Sequence, residues 1–124
     1  MAIDTSGQVS VRGESSATTT NLQQGLCKAW VHYVQAGTQA IDDSFNLSSI
    51  SDNAVGRTEH TLTNIMANND YATPFHAYDG DSFMTISQGW DKTTSAWKNA
   101  RSGGDFGTAV DADANGETVF GDLA

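Results

Sequence analysis

The stretch Cys27-Lys28-Ala29-Trp30-Val31-His32-Tyr33-Val34 decides the fold class of this 124-residue chain. It concentrates aromatic and β-branched side chains, which suit a pleated, packed surface better than a helix. Side chains alternate along a strand, so Ala29, Val31 and Tyr33 share one face and Trp30, His32 and Val34 the other. Both faces are partly apolar. The run therefore reads as a strand covered on both sides, with Trp30 in the core.

Turn signals surround it. Gln35-Ala36-Gly37 closes the strand, and residues 39–47 alternate through Ile41, Phe45 and Leu47. Residues 52–56 read as a loop, and residues 57–63 as a strand with Thr58, His60 and Leu62 on one face. Residues 65–69 suit a helical turn. Pro74 cannot donate to a ladder, so residues 71–78 become an edge or bulged strand. Asp79-Gly80 is a hairpin signal, and residues 83–88 and 93–98 flank a turn near 89–92. Breaks at intervals of about 8–12 residues predict an all-β fold, a small antiparallel sandwich or barrel.

Two regions differ from this domain. Residues 1–24 hold the low-complexity run Ser15-Ser16-Ala17-Thr18-Thr19-Thr20 and few large apolar groups. They read as an extended arm with one short strand near Val9, Val11 and Arg12, which would order against an assembly partner. Residues 25–124 form the domain. Its end, 101–124, rich in Gly and Asp, reads as an irregular acidic tail with a short terminal strand near Thr118 to Phe120.

Composition bounds the function. The formal charge is −9, which disfavours nucleic-acid binding through phosphates. No apolar run approaches the ~18–20 residues of a membrane span, and residues 1–10 lack a basic and apolar leader, so neither membrane insertion nor a secretory signal is expected. Cys27 is the single cysteine, which excludes an intrachain disulfide. Val, Ile, Leu and Phe together number 22 of 124 residues, few for a self-sufficient core. A homo-oligomer, a trimer first of all, would supply the missing burial.

The sharpest chemical motif is Asp111-x-Asp113-x-Asn115-Gly116, with Asp122 at position twelve. Oxygens at one, three, five and twelve around a glycine at six match a calcium loop. Position twelve carries Asp in place of Glu, and no flanking helices are evident. A solvated acidic tail is thus the first reading and Ca2+ held by Asp111, Asp113, Asn115 and Asp122 the second; no other cofactor is expected. His32, His60 and His76 share no ligand spacing. The acid pairs Asp42-Asp43 and Asp79-x-Asp81 read as turn and loop acids, Cys27 and His32 point to opposite faces, and no hydrolase or phosphate-loop motif is present. No catalytic residue is expected. Trp90 and Trp97 lie in the polar stretch 88–99 and read equally as core or as interface and sugar-stacking aromatics.

The segment Gly25-Leu26-Cys27-Lys28-Ala29-Trp30-Val31, then Asp43-Ser44-Phe45-Asn46-Leu47-Ser48-Ser49-Ile50-Ser51-Asp52-Asn53, then Gly56-Arg57 and on to Tyr71-Ala72, resembles a module of short tail-fibre-like and other virion structural proteins of tailed bacteriophages of marine bacteria. The likeness covers about residues 22–72. In that module Asn and an aromatic usually follow Trp-Val, and a Gly-rich turn follows Asp-Asn; here His32-Tyr33 and Ala54-Val55 stand in those places. The resemblance implies a non-enzymatic virion protein assembled in the host cytoplasm, a tail-fibre or tail-tip subunit for host attachment. Its partners would be copies of itself, other virion proteins and a host surface glycan or receptor. The alternatives are a capsid decoration protein and a calcium- or sugar-binding lectin-like module.

Overall fold

The computed structural model describes residues 2–5, 7, 9–12, 19–78, 85–86, 91–102 and 108–124, with the backbone alone at 19–20, 24, 85–86 and 101–102. The Asp79-Gly80 turn, Asp81, Trp90 and the run 15–18 lie outside the described residues. In chain order the elements are β1 (Ala2–Ile3), β2 (Val9–Arg12), β3 (Thr19–Asn21), the helical turn α1 (Leu22–Gly25), β4 (Ala29–Val34), β5 (Ala40–Phe45), β6 (Leu47–Ala54), β7 (Arg57–Leu62), β8 (Phe75–Tyr78), β9 (Thr85–Ile86), β10 (Ala96–Ser102) and β11 (Ala114–Val119). Two open four-stranded antiparallel sheets, ordered β6-β7-β10-β9 and β5-β4-β11-β8, pack as a sandwich.

Five expectations need correction. Trp30 is not core: β4 buries Ala29, Val31 and Tyr33 and turns Trp30 and His32 outward. Residues 52–54 are not a loop, since β6 runs on to Ala54 as an edge strand whose polar side chains face water while its backbone pairs with β7. Residues 114–119 are not irregular tail but β11, the strand between β4 and β8. Residues 1–24 are not a single extended arm, because β1, β2 and β3 form a small antiparallel sheet of their own. Val9 and Val11 lie half-buried on its central strand, with Arg12 exposed. Residues 65–69 form a bridge and bends in place of a helical turn.

Other expectations hold. β7 buries Thr58, His60 and Leu62, and β8 is an edge strand entered from Pro74. The chain passes from one sheet to the other at Asn46, in the left-handed region at φ 56°, which asparagine tolerates better than most residues. Its side chain pins the corner: Oδ1 accepts from Asn64 N (2.7 Å), and Nδ2 donates to the Lys28 carbonyl (3.0 Å). Gly56, at φ 69°, makes the tight β6–β7 turn possible.

The core changes character along the strands. At one end Ala29, Leu62, Met66, Tyr71, Trp97 and Val119 form an apolar cluster. Two residues further on, the same inward rows become polar: Leu62 gives way to His60 and Thr58, Val119 to Glu117 and Asn115, and Trp97 to Asn99. Tyr71 closes the apolar end, its hydroxyl donating to the carbonyls of Thr93 and Ala96 at 2.9 Å each.

Burial pushes the Tyr71 hydroxyl from 10.0 up to about 12. Since the folded state holds this proton more tightly than the unfolded chain, the associated stability is complete below pH 10. It is then lost, at about 1.4 kcal/mol per pH unit, as pH rises from the unfolded toward the folded value. Tm measured through this alkaline window should fall more steeply for the parent than for Tyr71→Phe. Parallel curves would overturn that assignment.

Candidate binding face and buried polar cluster

The outer face of the β5-β4-β11-β8 sheet carries the exposed chemistry. The alternation that sends Ala29, Val31 and Tyr33 inward sends Trp30 and His32 outward. Register places Phe45 beside Trp30, and Thr118 and Gly116 on the other side, opposite Trp30 and His32. His76 on β8 pairs with Gly116 in turn, so two histidines flank one glycine across three strands. Trp30 is 37% exposed, Phe45 54% and Tyr78 58%.

A groove of about 450 Å³, lined chiefly by Trp30, His32, Phe75, His76, Gly116 and Thr118, opens on this face. Gly116 makes its shape possible: His76 Cε1 lies 2.2 Å from where a Cβ at 116 would stand. Any larger residue there would expel the imidazole. His32 Nδ1 lies 2.8 Å from Asp42 Oδ2. A carboxylate only accepts, so the contact places a proton on Nδ1 and leaves Nε2 as the free acceptor of the neutral ring.

The second cluster lies between the sheets. Glu117 is 3% exposed and accepts from Tyr33 Oη (2.9 Å), Trp97 Nε1 (2.7 Å) and Asn99 Nδ2. His60 Nε2 is 3.5 Å from Glu117 Oε1, and the His60 ring stacks on Trp97 with centroids 4.7 Å apart. Beyond it Gln35 Nε2 donates to Thr58 Oγ1 (2.9 Å), and Thr58 Oγ1 donates to Gln39 Oε1 (3.1 Å). The bonds of Trp97 and Asn99 to Glu117, of Asn99 to Tyr33 and of Gln35 to Thr58 join one sheet to the other. Its members are buried or half-buried, and the cluster acts as an internal tie.

The residues singled out from sequence are scattered. Trp97 is 0% exposed, so it is core and neither an interface nor a ligand aromatic. Of the calcium set, Asp111 Oδ1 accepts from Gly56 N at 2.6 Å, and Asn115 lies buried on β11 with Nδ2 donating to the Tyr33 carbonyl at 3.2 Å. Asp113 is exposed. Asp122 stands past the far end of β11, where its carbonyl accepts from Ala67 N. The extended strand between them, at about 3.3 Å per residue, carries Asp122 away from Asp111. The three histidines divide likewise, His60 inside and His32 with His76 outside. Sequence reasoning missed the groove, whose signal was the outward series Trp30 and His32 opposite Gly116 and Thr118. It also missed the role of Glu117, the lone acid on β11.

Compared with known protein families, with curated proteins and with solved structures, the chain finds no match.

Proposed function

We propose that the chain is a non-enzymatic structural subunit of a tailed-phage virion, in trimeric form, that engages its target through the outer face of the β5-β4-β11-β8 sheet. The observation that carries the binding role is the exposed pair of Phe45 and Trp30, side by side on β5 and β4, with Tyr78 exposed on β8 of the same sheet four residues further along the strands. Apolar surface grouped in this way favours an interaction over free exposure to water. The virion assignment rests on the resemblance of residues 22–72. The fold adds one supporting fact: the two stretches that carry it lie side by side, with Trp30 of Lys28-Ala29-Trp30-Val31 paired to Phe45 of Ser44-Phe45-Asn46-Leu47. A tail fibre or tail tip is the first reading, because a compact sandwich with a laterally exposed aromatic face suits attachment. Capsid decoration is the second.

Quantitative mass spectrometry of purified phage particles tests this. A few dozen copies or fewer per particle supports the tail, and hundreds support decoration. Absence from particles overturns the virion assignment. A free chain that scatters light as a stable monomer overturns the trimer.

A further inference from the structure

We infer that the groove around Gly116 is a binding site for a neutral saccharide, with Trp30 as its stacking wall. The inference rests on the attachment reading above and names the class of ligand for the same face.

The lining decides the class. Trp30 presents part of its indole to solvent, an aromatic surface on which the C–H face of a pyranose can lie. The ring quadrupole makes the π-face negative, and sugar C–H bonds present weakly positive hydrogens to it. Around the aromatic wall stand short polar groups that match hydroxyls: the imidazoles of His32 and His76 and the hydroxyl of Thr118. The His32 Nδ1 contact to Asp42 holds that ring and leaves Nε2 to accept from a sugar hydroxyl. Among the described residues no lysine or arginine lines the groove, and the chain carries a formal charge of −9, which disfavours a phosphate, a sulfated glycan or a nucleic acid. Asp42 is engaged by His32, and the carboxylate of the lining residue Glu117 is taken up by Tyr33, Trp97 and Asn99, so neither is an open counter-ion for a cation. A volume of about 450 Å³ lies within the ordinary range for a small-molecule site. The glycine floor adds a condition of shape, because His76 keeps its place only while residue 116 lacks a side chain.

An open groove with one stacking wall binds weakly, with Kd on the order of 1 mM for a single sugar unit. Such a site gains strength by repetition in a trimer or on a particle.

The test uses the full chain with maltohexaose, cellohexaose and chitohexaose at about 10 mM, well above that Kd, read by saturation-transfer NMR. The expected result is transfer to the pyranose C–H protons of at least one of these sugars, lost in Trp30→Ala and weakened in His76→Ala. Near-ultraviolet circular dichroism of the buried Trp97 checks that both variants keep their fold. Should Trp30→Ala lose its fold, His76→Ala, whose side chain is exposed, carries the test. No transfer from any of the three sugars overturns the inference, as does unchanged binding in the folded variants or a preference for dextran sulfate. A chain that enters particles but binds no sugar refutes this site alone, whereas one that binds sugar but is absent from particles refutes only the virion assignment.

Discussion

Trp97→Ala should lower the stability of the domain by about 3–5 kcal/mol, the range for deleting a large aromatic from a packed core. Trp97 is 0% exposed and touches both halves of the interior. Toward the apolar end its ring meets Tyr71 edge-on at 6.4 Å; toward the polar end it stacks on His60 and donates to Glu117. Truncation therefore leaves a cavity and also removes one donor from a buried carboxylate, two costs with a common sign. Trp30→Ala provides the contrast. Trp30 lies on the outer face, so its loss should cost about 1 kcal/mol, as expected away from a core cavity. Urea denaturation of both variants decides the matter. Equal midpoints, or a Trp97→Ala midpoint at the parental value, would show that the interior is not organised around Trp97.

The two tryptophans also show what was legible in the sequence. The alternation in β4 and β7 was readable because each strand sets apolar or half-polar groups on one face at a period of two. The phase was not: both faces of 29–34 carry apolar groups, and only the packing of a second sheet selects Ala29, Val31 and Tyr33. Trp97 was obscured by its polar neighbours, yet polar neighbours are what a strand with one wet face requires. β11 was hidden for a related reason. Asn115, Gly116 and Glu117 have low strand propensity, and their strand exists through pairing with β4 and β8 on either side. The same residues supplied the match to a calcium loop, so a pattern of oxygens was read where the backbone is extended. The outer groove was illegible because it needs His32, Gly116 and His76 brought level across three strands, from positions far apart in the chain.

The low count of large apolar residues has a physical answer within the domain. Half or more of the inward row is polar on β7, β10 and β11, and this polar part closes largely by hydrogen bonds between the sheets where leucine and isoleucine would otherwise pack. Tyr33 and Asn99 meet at 2.7 Å, and Gln35 and Thr58 at 2.9 Å. Scarcity of apolar residues therefore no longer argues by itself for an oligomer. What remains for an oligomer is the resemblance, which implies copies of the chain as partners, while the outer aromatic face is kept for the target.

Glu117→Leu should cost about 3–5 kcal/mol, the order expected when three buried neutral donors lose their acceptor at about 1–3 kcal/mol each, partly offset by the apolar side chain. The carboxylate is the acceptor on which the Tyr33 hydroxyl, the Trp97 indole N–H and the Asn99 amide converge. With leucine in its place these donors remain buried, and each loses a partner that neither water nor backbone replaces. Glu117→Gln separates shape from charge. It keeps the volume and one carbonyl oxygen but turns an NH2 group toward donors, so an intermediate loss of about 1–3 kcal/mol is expected, the cost of one unsatisfied buried group. The order parent, Glu117→Gln, Glu117→Leu in falling urea midpoint is thus the signature of a tie made by acceptance. It should appear without change in the slope of unfolding, since the surface buried is nearly the same. A leucine variant as stable as the parent would mean that the sheets are held by packing alone, and that the Glu117 cluster serves some purpose other than joining them.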